Sequence, residues 1–328
     1  MGSSRDLNEL REKLAAFLPN GARITGLRPL TGGHSNETHV IEGLDLILRM
    51  APATLSFESH GIITQARIYD EVGQLEGAPP VPKIHHIGES PDVLGGPFYI
   101  MQRVDGVAVD DYNLPEWFTT LSEAQRGALC QSWTAAIGSI ATLPPIDALG
   151  KPNSPEDELR HWRQISADGG ATELVARIDR ILALPAPRSG AYTLVHGDCK
   201  ISNMLFDDCR ISSVLDWEFA YNGEPLSDLG YMLYFFAGEC HGPTRPTRLS
   251  GMWTREQVIA EWEQASGRSA VGIEWHEVAE IARVSAMIVT AARQYTTGES
   301  SDQRFGAFAA KLNENIATLD AMLEKLEA

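Results

Sequence analysis

The chain has 328 residues, of which 43% are apolar, enough to bury one large core or two modest ones. Its net charge of -17 argues against nonspecific binding to nucleic acid or an anionic membrane, because such binding draws on a surplus of Lys and Arg. The acids are unevenly spread: residues 1–105 carry 9 basic and 13 acidic side chains and residues 106–328 carry 18 and 31, so any preference for cationic ligands belongs to the second part. Cys130, Cys199, Cys209 and Cys240 show no C-x-x-C spacing and follow no secretory leader, and no apolar stretch approaches the roughly 18 to 20 residues that cross a bilayer. A cytoplasmic protein without structural zinc, disulfide framework or membrane span is expected.

In chain order, Leu7, Leu10, Leu14 and Leu18 recur at helical spacing until Pro19, Asn20 and Gly21 stop the run. "ARITGLRPL", "ETHVIEG" and "LDLILRM" read as three short strands of an antiparallel meander, with the glycine loop "TGGHSN" at the first corner. "FESHGIITQARIYDEVGQL" returns to helical spacing, and "VPKIHHIGE" and "GPFYIMQRV" supply two more strands. The pattern is then lost over "DGVAVDDYNLPEW" and becomes mostly helical from about residue 120. Only 192–218 interrupts the helices, with short strands around "LVHGDCKISNMLF" and "ISSVLD". The expected architecture is α+β and two-lobed: a β-rich lobe over 1–104 with one leading helix, and a helical lobe over 105–328.

Phosphoryl transfer from a nucleotide needs an acceptor for the attacking hydroxyl's proton, oxygen ligands for Mg²⁺, a cation on the phosphates and a backbone loop over them. Asp198 and Asn203 stand in a D-x-x-x-x-N relation, the spacing of a kinase catalytic loop, with the Lys200 cation between them. Asp216 closes the next strand, where a kinase carries a metal-binding Asp, and the "FDDCR" turn folds the two strands back on each other so that both acids reach one edge.

His196-Gly197-Asp198-Cys199-Lys200-Ile201-Ser202-Asn203, followed by "LDWE" and "PLSDLGYML", resembles the aminoglycoside phosphotransferase family of kinase-like enzymes. The "TGGHSNETH" loop and the "HGDCKISNML" form are most similar to the subgroup found alongside acyl-CoA dehydrogenases, and the likeness runs from about Leu27 to Leu233. The resemblance implies a protein-kinase-like fold, ATP or GTP as phosphoryl donor, Mg²⁺ as cofactor and a small-molecule hydroxyl as acceptor. Asp198 becomes the catalytic base, His196 the brace of its loop, and Asn203 and Asp216 the metal ligands. Gly32, Gly33, Ser35 and Asn36 become the phosphate loop, and Gln102 to Val104 the adenine-facing hinge.

Two positions depart from the kinase pattern. Arg49 stands where the phosphate-pairing Lys is expected, and Gln65 where its Glu partner would sit on the helix. This pair motivates an alternative, a nucleotide-binding regulatory module that has lost catalysis. A protein kinase is disfavoured because no A-P-E motif or activation loop follows "LDWE". The acceptor is left between a cationic amine-bearing alcohol, suggested by the acidic lobe, and a hydroxyacyl thioester or uncharged alcohol, suggested by the subgroup. Trp217, Glu218 and Tyr221 suit either the substrate side or the core, Cys199 reads as a packed thiol, and Tyr231, Tyr234, Phe235 and Phe236 read as helix core.

Overall fold

The computed structural model describes residues 6–19, 23–30, 37–51, 60–110, 114–236, 249–298 and 303–328. The glycine loop, with Gly32, Gly33, Ser35 and Asn36, lies outside the described residues. An antiparallel sheet is built from β1 (Gly26–Pro29), β2 (Glu37–Glu42), β3 (Leu46–Met50), β4 (Ile84–Gly88) and β5 (Phe98–Gln102), in the order β1-β2-β3-β5-β4. The first three strands form the expected meander, and β5 then enters between β3 and β4.

Strand alternation divides the sheet's side chains between two cores. Ile41, Leu48, Met50, Phe98 and Ile100 face α1 (Leu7–Phe17), whose Leu10 and Leu14 close that outer cluster. Val40, Ile47, Tyr99 and Met101 face the other way, into a core shared with α2 (Ile62–Val72) and the helical lobe. Arg49 is two residues from Ile47 and therefore shares this inward face, where only 6% of it is exposed. A short helix, α3 (Pro91–Leu94), joins β4 to β5 and packs near α1; its Pro start and left-handed Gly95 end fit the Ser90 cap.

The helical lobe contains α4 (Glu116–Thr119), α5 (Glu123–Ile140), α6 (Pro155–Asp168), α7 (Thr172–Leu182), α8 (Leu226–Phe236), α9 (Arg255–Ser266), α10 (Ile273–Thr296) and α11 (Gln303–Glu327). Between α7 and α8 lie β6 (Thr193–Val195), β7 (Met204–Asp207), β8 (Arg210–Val214) and β9 (Tyr221–Gly223), with β6 paired to β9 and β7 to β8. The β7–β8 hairpin turns at Asp208 and Cys209, both at positive φ, as a two-residue hairpin loop requires. No described helix is long and apolar enough to cross a membrane.

α10 is the axis of this lobe, packed against α6, α7, α8 and α11, and it is buried on nearly every face. Its enclosed polar groups therefore affect stability. His276 is 1% exposed, its Nε2 lies 3.0 Å from Pro187 O, and burial pushes its imidazole down to about 4 from the usual 6.5. Between those values the unfolded chain takes up a proton that the folded chain refuses, so this share of stability is present above pH 6.5 and is lost as pH falls to about 4. At about 1.4 kcal/mol per pH unit the loss is roughly 3 kcal/mol. Glu280, pushed up to about 7 by burial against the opposing pull of Arg283, works in the opposite sense, since its folded form gains a proton first. His276→Gln is therefore expected to lose less stability than wild type between about pH 7 and about pH 5 in denaturant titrations. Parallel losses would show that His276 is not the source.

Candidate active site

The segment after β6 passes close to Phe219, just ahead of β9. Gly197 has φ +76, and a Cβ there would stand 2.1 Å from Phe219 O, so both conformation and contact require glycine. Gly197→Ala is expected to lower the melting temperature and turnover together; unchanged values would show that the loop can yield at this point. The His196 and Gly197 amides donate to the two carboxylate oxygens of Asp228, at 2.7 and 2.9 Å. Asp228 thus holds the loop from the first turn of α8. Burial pushes its carboxyl pKa up, with His196 and the two amides pulling the other way.

His196 is fully buried. Its Nδ1 accepts from the Asp198 amide at 3.2 Å, so Nε2 carries the proton and donates to Leu215 O at 2.9 Å. Burial pushes its pKa down despite the nearby acids Asp228 and Asp198, which keeps the ring neutral. The ring lies against Trp217 with centroids 4.5 Å apart, so Trp217 serves the core and supports this histidine.

The Asp198 carboxylate is almost enclosed. Its Oδ2 accepts from Asn203 Nδ2 at 2.7 Å and pairs with Lys200 Nζ at 3.0 Å, while Oδ1 accepts from the Tyr231 hydroxyl. Asn203 sits on a short 3₁₀ turn, residues 201–203, and its Nδ2 also donates to Asp198 O at 2.8 Å. With its amide hydrogens directed at Asp198, Asn203 keeps its side-chain Oδ1 for another partner. The Leu215 amide donates to Asn203 O at 2.8 Å and ties the loop that carries Asp198 to the Asp216 strand.

Asp216 adopts a left-handed backbone, φ 63 and ψ 58, and its amide donates to the Tyr69 hydroxyl at 2.9 Å. Its carboxylate lies 2.8 Å from Arg49 Nη1. Burial alone would raise the Asp216 pKa, but the charge and hydrogen bond of Arg49, aided by Lys200, hold it below the usual carboxylate range. Burial works against the Arg49 charge as well, and Tyr99 and Asp216 outweigh it. The acid that faces Arg49 here is Asp216. Gln65 is buried on α2 and its side-chain amide donates to His60 O at 2.6 Å.

α2 is fixed to the helical lobe by other groups. The His60 amide donates to Glu218 O at 2.9 Å, the His60 ring meets Ala220 O at 2.6 Å, and Glu71 accepts from the Asp147 and Ala148 amides at 2.8 and 2.9 Å. Gln102 and Val104 lie at the exit of β5, where the Gln102 amide donates to Lys83 O at 2.8 Å. Gln102 is exposed and Val104 half-buried.

The structure therefore brings His196, Asp198, Lys200, Asn203, Asp216 and Arg49 into one connected polar cluster between sheet and helices. Sequence reasoning missed Asp228, Tyr69, Tyr231 and Arg283. Tyr231 is buried in the helix core as expected, and its hydroxyl in addition reaches the candidate base. One signal was present for Arg283, a Glu280–Arg283 pair at i,i+3 within an otherwise apolar helical stretch.

The model of the phosphotransferase enzyme family matches residues 26–281. The chain belongs to this family. The family is one of phosphotransferase enzymes. Among curated relatives it is 29% identical over 209 residues to acyl-CoA dehydrogenase family member 10 of Mus musculus, covering 61% of this chain and 19% of that protein. The chain thus spans about a fifth of that relative's length. Among solved structures, a Ralstonia eutropha protein assigned to the aminoglycoside phosphotransferases superposes with a TM-score of 0.79 at 20% identity, covering 96% of this chain and 98% of that one. Aminoglycoside phosphotransferase APH(4)-Ia, in ternary complex with AMP-PNP and hygromycin B, gives a TM-score of 0.59 at 18% identity, covering 92% and 94%. These likenesses show the two-lobed kinase-like fold.

Proposed function

We propose that this phosphotransferase moves the γ-phosphoryl group of ATP or GTP to the hydroxyl of a small molecule, with Mg²⁺ as cofactor and Asp198 as base. The observation that carries the reading is the joining of Asp198, Lys200, Asn203, Asp216 and Arg49 in one cluster, each with the charge or donor that phosphoryl transfer uses. The division proposed is a nucleotide-binding lobe over 1–104 and a catalytic and acceptor lobe over 105–328.

Among the described residues no group of three or more His, Cys, Asp and Glu side chains is arranged to hold a metal ion. The available donors suit Mg²⁺ nonetheless, since it is commonly held by one or two protein oxygens together with phosphate oxygens and water. Asn203 through Oδ1 and Asp216 through its carboxylate would hold it. Bound there, Mg²⁺ would supply positive charge to offset that of the phosphates. Asp198 orients the acceptor hydroxyl and takes its proton, and Lys200 and Arg49 neutralise charge on the transferring group. The glycine loop, with Gly32, Gly33, Ser35 and Asn36, would cover the phosphates, and Gln102 to Val104 would face the base.

Two acceptor classes are supported from outside the chain. The mouse relative carries the name of an acyl-CoA dehydrogenase, which favours a hydroxyacyl thioester, and the APH(4)-Ia complex contains hygromycin B, which favours an aminoglycoside. The test begins with calorimetric titration of ATP and GTP with and without Mg²⁺. It continues with phosphoryl transfer to a panel of hydroxyacyl thioesters, aminoglycosides and simple alcohols. Binding of neither nucleotide would overturn the proposal.

A further inference from the structure

We infer that Tyr231 is a positioning residue that fixes which lone pair of Asp198 faces the acceptor hydroxyl, and that Arg283 holds Tyr231 and the catalytic loop together for this purpose. The catalytic consequence rests on the phosphotransfer reading above; the positioning itself rests on geometry alone.

A carboxylate offers about four lone-pair sites on its two oxygens. On Asp198, Asn203 and Lys200 engage Oδ2, and the Tyr231 hydroxyl engages one side of Oδ1. The second lone pair of Oδ1 is then the site left for an incoming O–H. Without the Tyr231 hydroxyl, both sites on Oδ1 would be open, and the acceptor could bind in an orientation unsuited to in-line attack. Proximity alone would then no longer produce the reactive geometry.

The support behind Tyr231 is continuous. The Arg283 guanidinium lies 4.6 Å from the Tyr231 ring centroid and 5.8 Å from that of Trp162. Its Nη2 donates to Gly197 O at 2.6 Å, and its Nε donates to Glu280 at 2.5 Å, so one side chain of α10 grips both the ring and the loop that carries Asp198. The planar fork is what permits this, because stacking uses the face of the guanidinium and hydrogen bonding its edge. Gly230, the neighbour of Tyr231, allows α8 to come this close to α10: a Cβ there would stand 2.8 Å from the His276 carbonyl carbon. Burial also pushes the Tyr231 pKa well up, with Asp198 adding to the shift, so the hydroxyl keeps its proton and remains a donor.

The test is a double-mutant cycle with Tyr231→Phe, Asp198→Asn and the combined variant. Turnover is read as ADP formed from Mg·ATP, with an acceptor from the panel or with water alone. Tyr231→Phe keeps the ring and its packing on Arg283 and is expected to lower kcat by about 10- to 100-fold, with nucleotide Kd changed by less than about twofold. In the Asp198→Asn background the same substitution is expected to have no further effect, because its influence passes through Asp198. Wild-type turnover in Tyr231→Phe, or an equal loss in both backgrounds, would overturn the inference. A crystal structure of Tyr231→Phe decides the case where turnover is too slow to measure: a reoriented Asp198 carboxylate supports the inference and an unmoved one overturns it. Full activity in Asp198→Asn alone would instead overturn the phosphotransfer reading, and the crystal structure would still judge the positioning.

Discussion

Asp198→Asn is expected to lower turnover by about a thousandfold, the range in which a positioned base contributes, while nucleotide affinity stays nearly unchanged. The substitution is close to isosteric, so the pocket formed by Asn203, Lys200 and Tyr231 remains filled. The Tyr231 hydroxyl can accept as well as donate and can face an amide NH₂. Lys200 loses its carboxylate partner at 3.0 Å, but its side chain is 26% exposed and water can take up part of that role. The nucleotide contacts proposed for Arg49, Asp216 and the glycine loop do not pass through Asp198, so affinity and turnover should separate. Transfer rates measured beside calorimetric Kd values check this. A variant as active as wild type would remove Asp198 from the mechanism, and a parallel collapse of nucleotide binding would point to a misfolded loop.

Much of this arrangement was legible in the sequence for a specific reason: the features are local. Alternation in "LDLILRM" places Arg49 on the face of Ile47 and away from Leu48 and Met50, and the structure keeps that division. The "FDDCR" hairpin brings the Asp216 strand back beside the loop that carries Asp198, where Leu215 and Asn203 are hydrogen-bonded. What was not legible depends on contacts between distant segments. Asp228 in the first turn of a helix has an ordinary local reading, an acid at the positive end of the helix dipole. Its grip on the His196 and Gly197 amides appears only when the start of α8 meets the loop that follows β6. Tyr231 lies in an aromatic run whose periodicity predicts burial correctly, but periodicity does not report where a hydroxyl at the end of a ring arrives. α10 gives no single apolar stripe because it is enclosed on nearly all sides, so its buried Arg283 carried no facing that a helical period could read.

The Arg49–Asp216 contact leads to the second large effect. The proposed phosphate cation and the proposed metal ligand neutralise each other at 2.8 Å. A metal-free nucleotide that draws Arg49 onto its phosphates leaves the Asp216 carboxylate facing those phosphates, a like-charge contact that opposes binding. When nucleotide arrives with Mg²⁺, both halves of the pair gain a new partner at once. The two ligands should therefore bind wild-type protein cooperatively, each raising the affinity of the other by the same factor. Asp216→Asn breaks this symmetry. Turnover is expected to fall by about a hundredfold to a thousandfold, as when one preorganised stabilising group is removed. Metal-free ATP, by contrast, should bind the variant about tenfold more tightly than wild type, because Arg49 is released and the repelling carboxylate is gone. The opposite signs separate this account from general damage to the site, which would weaken both. Titration of ATP into the two proteins with and without Mg²⁺ reads both signs. Equal metal-free affinities would show that the ion pair does not gate the phosphate site.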